Sequence, residues 1–383
     1  MHETETPSLE PSPSSEPSPA VWRRACTACT GAKRKCSKQV PRCRRCDHRG
    51  LECFYPPARA SAGEPHLEMP LPSAADVPLQ PADISAQEQP PHPQVPDWFL
   101  APDSWEVAHL PPQPLPDLFG EETLSAYVTI IQSWLRMWVT DDHCPFIHRY
   151  LYRAHMPRRM QDAYTTISAY LHKTPETEAT VRRIIEHRLQ QLMEENFVES
   201  SLELGSTILV DHLARVQALL VLLVICLFDG SIRLRAQAEL HLATLSAWND
   251  QMWQVSTQEV RSNATLEPWR LWIFGESIRR TWLTTSIIHC VYITITQGYS
   301  WCPGGVYCTF GNELWDARTA HDWERKSESG RKRLFMQSLD VMELFLEDDP
   351  DAVDAFGHAI MLITSGIDKV QRWTARKDAS PLT

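Results

Sequence analysis

The stretch ACTACTGAKRKCSKQVPRCRRCDHRGLECFYPP, residues 25–57, holds six of the chain's eleven cysteines within 28 residues. Such a density has three chemical explanations: disulfides, redox-active thiols or a metal site. The choice among them bears directly on function, because each is typical of a different compartment and a different class of protein.

The rest of the sequence argues against disulfides. The N-terminus, MHETETPSLEPSPSSEPSPA, is acidic and rich in Pro and Ser, and it has no signal-peptide pattern. The longest apolar run, ALLVLLVICLF at 218–228, has eleven residues, which is too short for a membrane span and indicates a buried helix. We therefore expect a cytosolic or nuclear protein with no membrane partner, in which thiols stay reduced.

The charge is divided unevenly along the chain. Residues 21–58 contain ten Lys and Arg residues but only two acidic residues, so this segment carries +8. The whole chain carries −11, which leaves −19 for the remainder. A basic module attached to an acidic body is typical of a protein that meets nucleic acid through one segment.

The cysteines repeat with a period of 17 residues, in the pattern C-x2-C-x6-C-x6-C-x2-C-x6-C. The module is therefore two copies of one unit, in which a C-x2-C turn opens a short helix and a third cysteine follows it. The two sets of three are Cys26, Cys29 and Cys36, and Cys43, Cys46 and Cys53.

Zinc prefers four thiolates in a tetrahedron, and one unit supplies only three. The economical solution shares two sulfurs between two zinc ions. Because Cys26 and Cys43 are the equivalent first cysteines of the two units, they are the natural bridges. The first zinc would then be completed by Cys29 and Cys36, and the second by Cys46 and Cys53, giving two zinc ions per chain.

The module resembles the binuclear zinc cluster of fungal transcription factors, the family of the yeast galactose-pathway activator. The resemblance covers residues 25–57 and includes the cysteine spacing, Pro41 in the loop between the units and the FYPP sequence after the last cysteine. It implies a nuclear protein that binds double-stranded DNA and regulates genes transcribed by RNA polymerase II.

The resemblance also implies how DNA is read. In the family, the basic residue four positions after the second cysteine, here Lys33, reads a CGG triplet from the end of the first helix. Arg34 and Lys35 complete the basic run, and each of them could instead neutralise phosphate or the cluster. Many relatives have Arg where this chain has Thr30, which predicts weaker phosphate binding on that side. We expect Arg45, in the second unit, to contact phosphate at most.

Outside the module, composition divides the chain into three further parts. Residues 1–20 have low complexity and are expected to be disordered. Residues 58–120 form an extended linker, since residues 54–120 hold sixteen of the 29 prolines. Residues 121–383 show helical periodicity, which predicts an all-α effector domain. The domain boundaries are then 1–20, 21–57, 58–120 and 121–383.

The predicted fold is therefore a small zinc-cluster domain with two short helices around two zincs, a disordered Pro-rich linker and a mostly all-α C-terminal domain. In the C-terminal domain, apolar residues share one helical face in three segments. They are Leu124, Tyr127, Val128, Ile131, Leu135 and Trp138; Met160, Ala163, Tyr164, Ile167 and Leu171; and Val181, Ile184, Ile185, Leu189 and Leu192.

Several other polar groups invite a functional interpretation. The stretch DDHCPFIHRYLY, which includes Cys144 and His148, could suggest a metal or Cys–His site, but its spacing fits no common zinc motif. Its similarity to the effector region of short fungal regulators favours packing. Glu276 and Arg280 form an i,i+4 pair that we interpret as helix stabilisation.

Three hypotheses account for these features. The first is a sequence-specific transcription regulator that binds CGG-containing DNA, and its short length resembles regulators of fungal biosynthetic gene clusters. The alternative is a zinc-stabilised protein-interaction adaptor. An enzyme is disfavoured, because residues after 120 contain no phosphate-binding loop or nucleophile motif. A homodimer and contact with the transcription machinery stay open as partners.

Overall fold

The computed structural model describes residues 25–38, 43–51, 53, 98–110, 120–195, 205–262, 267–328, 334–347 and 349–376. These residues belong to two compact units, the first within Met1–Ala86 and the second within Gln87–Thr383. The segment 1–20 and most of the segment 58–120, both predicted to be disordered, lie outside the described residues.

The first compact unit holds the cysteine module and contains two short helices, α1 at Thr27–Gly31 and α2 at Arg44–His48. Each begins immediately after the first cysteine of a C-x2-C pair, as the repeat predicts. The buried side chains of this unit are cysteines, so its interior is a cluster of sulfur atoms and not an ordinary apolar core.

The second compact unit, within Gln87–Thr383, is mostly helical and is named the helical unit. Its described helices are α3 (Glu121–Asp141), α4 (Arg158–Leu171), α5 (Glu178–Glu194), α6 (Gly205–Phe228), α7 (Ile232–Ser262), α8 (Pro268–Gln297), α9 (Asn312–Trp315), α10 (Ala320–Glu328), α11 (Ala355–Ser365) and α12 (Ile367–Thr374). Short 3₁₀ segments cover Trp98–Leu100, Pro102–Trp105, Ser338–Leu346 and Pro350–Ala352. The three predicted amphipathic faces lie on α3, α4 and α5, and most of their apolar residues are buried.

Two helices form the centre of this unit. Helix α6 packs against α4, α7 and α8, and the segment Leu209–Phe228 is long and apolar enough to cross a membrane. That segment is 89% buried inside the unit, which identifies it as a core helix. Helix α8 is buried on nearly every side between Leu271 and Tyr292.

The ends of α8 follow from its sequence. Pro268 occupies the first turn, where its missing N–H is not needed. Gly298 ends the helix in the left-handed conformation, at φ +80°, and its N–H donates to the Thr294 carbonyl at 2.9 Å. The helix continues to Gln297, although its last residues leave the core and Ile295 is 49% exposed.

A two-stranded antiparallel sheet adds to the expected helical fold. Strand β1 (Tyr307–Thr309) pairs with β2 (Phe335–Gln337), with Cys308 opposite Met336. Cys308 is fully buried, so it belongs to the core.

The compact unit begins earlier than residue 121, the boundary predicted from proline content. Residues 98–110 pack on the helices, with Phe99 and Trp105 buried. The Trp98 indole N–H donates to Ser327 Oγ at 3.1 Å, and Ala108 forms a β-bridge with Gly305. The physical reason is the aromatic content of this stretch, because burying indole and phenyl rings outweighs the extended tendency of the neighbouring prolines.

Four charged side chains are buried together around α8. The Arg280 guanidinium binds Glu276 Oε1 at 3.0 Å and Asp354 Oδ2 at 2.6 Å, and it donates to the carbonyls of Pro145 and Thr309. It also stacks on Trp315, 3.9 Å from the ring centroid. The fourth charged group, Arg279, donates to the Phe99 carbonyl and lies over Trp105. This cluster joins α8 to α11, β1 and the segment at Pro145.

Candidate metal centre and nucleic-acid interface

The sulfurs of the module converge on one point. Cys26, Cys29, Cys43 and Cys46 are fully buried, and their four Sγ atoms all lie within 4.8 Å of one another. Cys36 Sγ lies 3.8 Å from Cys26 Sγ. These thiols are free, so the structure brings the cysteines together without disulfides.

Cys53 joins the cluster through the backbone. Its Sγ accepts the N–H of Cys43 at 3.3 Å, so the last cysteine of the second unit lies beside the first cysteine of that unit. The structure therefore places all six cysteines predicted as metal ligands in one group.

The sulfur separations match a zinc–thiolate cluster. A Zn–S bond of about 2.3 Å in a tetrahedron places neighbouring sulfurs about 3.8 Å apart. The observed separations are 3.8 Å for Cys26–Cys43, 3.7 Å for Cys26–Cys46 and 3.6 Å for Cys29–Cys43. The donor set can therefore hold zinc with the sulfurs where they are.

Close sulfur contacts connect the two cysteine repeats. Cys26, in the first unit, contacts Cys46 of the second, and Cys43, in the second unit, contacts Cys29 of the first. Cys26 and Cys43 also contact each other. Cys26 Sγ thus has close sulfur neighbours in both repeats, Cys36 at 3.8 Å and Cys46 at 3.7 Å, and these contacts are compatible with shared sulfurs.

The thiols differ in how readily they lose a proton. Burial raises the pKa of Cys26, and it raises the pKa of Cys46 to about 12. Burial also opposes ionisation of Cys36, but N–H groups outweigh it, among them that of Lys38 at 3.4 Å, and lower the pKa to about 6. Thiolates packed this closely are stable only beside a cation, so zinc would take the place of protons here.

The two units have the same backbone hydrogen bonds, displaced by 17 residues. This agreement shows that the sequence repeat is also a structural repeat. The equivalent bonds are Thr30 N to Cys26 O (2.9 Å) and Asp47 N to Cys43 O (3.0 Å); Lys33 N to Thr30 O (3.1 Å) and Gly50 N to Asp47 O (3.3 Å); and Arg34 N to Cys29 O (3.0 Å) and Leu51 N to Cys46 O (2.9 Å).

The repeat assigns an unusual backbone conformation to Lys33. Gly50, its equivalent in the second unit, has φ +61°, and Lys33 has φ +51°. This left-handed region suits glycine and disfavours a residue with a Cβ by about 1–2 kcal/mol. Helix α1 ends at Gly31, so Lys33 lies in the turn just beyond the helix and not within its last turn.

The predicted DNA-contacting residues form one exposed surface. Lys33, Arg34 and Lys35 follow α1 directly, and all three are exposed. The second unit has a different surface at the equivalent positions, with Gly50 and Leu51 in place of Lys33 and Arg34. The turn that follows the first helix is therefore basic, whereas the equivalent turn after the second helix is uncharged at these two positions.

Arg45 has a role that its sequence position did not predict. Its Nη1 donates to Cys29 Sγ at 3.8 Å, across the boundary between the two units, and the side chain is half-buried. Arg45 therefore contacts the cluster, where its charge stabilises thiolate. The spacing of the cysteines gave no signal for this contact, because it depends on how the two units pack.

The polar groups in the stretch DDHCPFIHRYLY belong to the core. Cys144 and His148 are buried, and His148 Nε2 lies 3.1 Å from the Trp315 carbonyl oxygen. Burial lowers the pKa of His148 to about 3, so the ring is neutral near pH 7. Within the described residues, the cluster of Cys26, Cys29, Cys43 and Cys46 has no counterpart in the helical unit.

Comparison with known proteins agrees with the geometry. Residues 24–61 match the fungal Zn(2)-Cys(6) binuclear cluster domain, a domain that binds two zinc ions. The chain is also similar to "Transcription factor gsfR2" of Penicillium aethiopicum, with 26% identity over 404 residues, covering 93% of this chain and 95% of the relative. No solved structure matches the chain.

Proposed function

We propose that this protein, which carries a fungal Zn(2)-Cys(6) cluster domain at residues 24–61, is a nuclear transcription regulator that recognises CGG-containing DNA. The observation that carries the proposal is the exposed run of Lys33, Arg34 and Lys35 at the end of α1, beside the sulfur cluster. The similarity over 93% of the chain to a protein named as a transcription factor supports the regulatory role.

In this proposal the zinc cluster acts as a structural support. Cys26 and Cys43 would be shared by two zinc ions, Cys29 and Cys36 would complete the first site, and Cys46 and Cys53 would complete the second. The ions fix the two short helices, which bury too little apolar surface to be stable alone. The chain's own residues then do the reading, and no catalytic step is involved.

Lys33 is the residue that we assign to base recognition. Guanine presents the acceptors O6 and N7 in the major groove, and a lysine ammonium is a suitable donor to both. A side chain held in a disfavoured backbone conformation is more common at functional positions than elsewhere, and Gly50 shows that glycine satisfies this turn. Arg34 and Lys35 would bind the flanking bases or phosphates.

We also propose which genes the protein regulates, from the length of the chain and its resemblance to known regulators. A short chain with one zinc cluster and a helical effector unit resembles regulators of fungal biosynthetic gene clusters. Genes transcribed by RNA polymerase II in such a cluster are therefore the proposed targets, and the helical unit would contact the transcription machinery.

Binding measurements test DNA recognition directly. Fluorescence anisotropy with zinc-loaded full-length protein should show preference for a CGG duplex over a duplex with that triplet scrambled. Lys33→Ala should weaken binding to the CGG duplex by about 1–3 kcal/mol, about 5- to 150-fold, with a much smaller effect on the scrambled duplex.

Arg49→Ala provides the matched control, because Arg49 is an exposed cation at the end of α2, in the second cysteine repeat. Its loss should weaken both duplexes alike and reduce the slope of log K against log[salt] by about one. Equal losses for Lys33→Ala on both duplexes would make Lys33 a phosphate contact. No preference of the wild-type protein for CGG would refute the proposal and favour the adaptor.

A further inference from the structure

A groove runs along helix α3 on the surface of the helical unit. One wall is α3 itself, and the other is formed by α9, α11, α12 and the turn before α11. The groove consists of two open depressions, of about 810 Å³ and 760 Å³, and Ile130 lines both of them. The depressions therefore meet at Ile130, and together they have room for several large side chains.

The inside of the groove is apolar, and its walls are held by contacts within the unit. Trp134 lines the groove and stacks on Phe356 of α11, with the ring centroids 6.1 Å apart. Nearer the start of α3, the Ile367 N–H of α12 donates to Thr123 Oγ1 at 3.4 Å. Because these contacts fix both walls, the groove exists before anything binds to it, which lowers the cost of binding.

The side of α3 that faces the groove has the spacing of a helix-packing face. Ala126, Ile130, Ser133 and Met137 are separated by four, three and four residues, and all four line the groove. None of them is fully buried, so this face is not covered by the core. The groove follows α3 from Glu121 to Met137, about 24 Å, which is the length of a helix of about 16 residues.

The charged residues that line the groove are all acidic within the part of the chain that the structure describes. They are Glu121 and Glu122 at the start of α3, and Asp316, Asp351 and Asp354 at the opposite end. Asp354 pairs with the buried Arg280, and Asp316 Oδ1 lies 3.4 Å from Arg149 Nη2, so these two contribute less charge to the groove. Glu121, Glu122 and Asp351 are exposed, so both ends of the groove attract cations.

We propose that this groove binds an amphipathic helix of another protein, with apolar residues on one face and Lys or Arg at its two ends. A partner of this kind places side chains spaced by three and four residues in an apolar groove, and its charges fix the register. The acidic ends disfavour DNA and anionic membranes, because both are negatively charged. The same face of a second copy is disfavoured as well, because it would bring carboxylates against carboxylates.

A synthetic peptide tests the proposal with zinc-loaded full-length protein. The probe is a fluorescein-labelled helix of about 18 residues, with leucines at helical spacing on one face and lysines at both ends. Fluorescence anisotropy should show saturable binding with a dissociation constant in the micromolar range, because one helix in one groove makes a small interface. A peptide of the same composition, with its leucines distributed around the helix, should bind at least about tenfold more weakly.

Variants of α3 test whether the peptide occupies the groove. Ser133 is exposed and lines the groove, so Ser133→Lys adds bulk and positive charge there and should weaken binding more than about tenfold. Thr140→Lys is the matched control, because Thr140 is an exposed hydroxyl residue two turns further along α3, outside the groove lining. It adds the same charge and should change the affinity less than about twofold.

The acidic end is tested by the double variant Glu121→Gln and Glu122→Gln. It should weaken the lysine-ended peptide and make its binding less sensitive to salt, because two attractive charges are removed. Thermal unfolding followed by circular dichroism checks that each variant is folded. Absence of saturable binding, equal binding of the rearranged peptide, or equal effects of Ser133→Lys and Thr140→Lys would overturn the proposal. The assay contains no DNA, so its failure would leave the proposed DNA recognition unaffected.

Discussion

Replacing Arg280 with methionine should destabilise the helical unit more than any surface change of the same kind. The guanidinium is fully buried and contacts Glu276, Asp354 and two backbone carbonyls. Methionine fills similar space but donates no hydrogen bond. Two buried carboxylates would lose their cation, and two carbonyls would lose a donor.

The magnitude follows from these contacts. An exposed i,i+4 pair contributes about 0.2–0.5 kcal/mol, whereas removing one partner of a buried ion pair is destabilising by about 3–5 kcal/mol. Domains of 150–250 residues lose roughly 2–4 °C in melting temperature per kcal/mol. Arg280→Met should therefore lower the melting temperature of the helical unit by about 10 °C.

Thermal unfolding followed by circular dichroism at helix wavelengths measures this effect in the zinc-loaded protein. Arg325→Met is the matched control, because Arg325 pairs with Asp322 at 2.8 Å on the surface and should lose less than about 0.5 kcal/mol. If both variants melt within about 2 °C of each other, the buried cluster does not stabilise the unit as reasoned.

A combined variant identifies the cause of the loss. Adding Glu276→Gln and Asp354→Asn to Arg280→Met removes the uncompensated carboxylates. It keeps an acceptor for the Thr309 N–H, which Glu276 Oε1 accepts at 2.8 Å, and at the α11 N-cap, where Asp354 Oδ1 accepts the Gly357 N–H at 2.7 Å. Stability should recover in part, because replacing a whole buried ion pair is often neutral. Failure to recover would point to lost packing and not to buried charge.

Three further predictions concern the module and the core. Chelation should unfold residues 25–53, and elemental analysis should find two zinc ions per chain, with Cys26→Ser losing both ions and Cys29→Ser first weakening one. Lys33→Gly should stabilise the module by about 1 kcal/mol, measured as resistance to chelator, while abolishing preference for CGG, because glycine relieves the left-handed strain. His148 should make stability depend on pH: its pKa is near 3 when folded and about 6.5 when unfolded, so its contribution is complete above pH 6.5 and is lost as pH falls toward 3. Denaturant midpoints between pH 4 and 7 should show this slope, and His148→Gln should flatten it.

The sequence predicts the module well because its determinants are local. The cysteine spacing, which repeats after 17 residues, allows few arrangements in which all six sulfurs come together. Each cysteine repeat also forms the helix that the spacing predicts. The position of Lys33 is the exception. Resemblance places it at the end of the helix, but α1 ends two residues earlier, at Gly31, as α2 ends at the equivalent His48.

The sequence predicts the helical unit where apolar residues recur with helical periodicity. It does not predict contacts between residues that are far apart in the chain. The apolar faces of α3, α4 and α5 follow from spacing alone. Glu276 and Arg280 appear as a surface-type pair, since the third member, Asp354, lies 74 residues from Arg280. The three-residue strands β1 and β2 are too short for alternation to identify, and only tertiary contacts place Phe99 and Trp105 in the core.

The 17-residue duplication separates metal binding from sequence recognition. The bonds that shape each half run through the backbone and through cysteine sulfur, so the neighbouring side chains are free to differ, as Lys33 and Gly50 or Arg34 and Leu51 do. Under the proposed function, substitutions at 33–35 would redirect the protein to other DNA sequences without removing a zinc ligand. In the proposed sharing of Cys26 and Cys43, neither half could be deleted, because each would supply a sulfur to the other half's zinc.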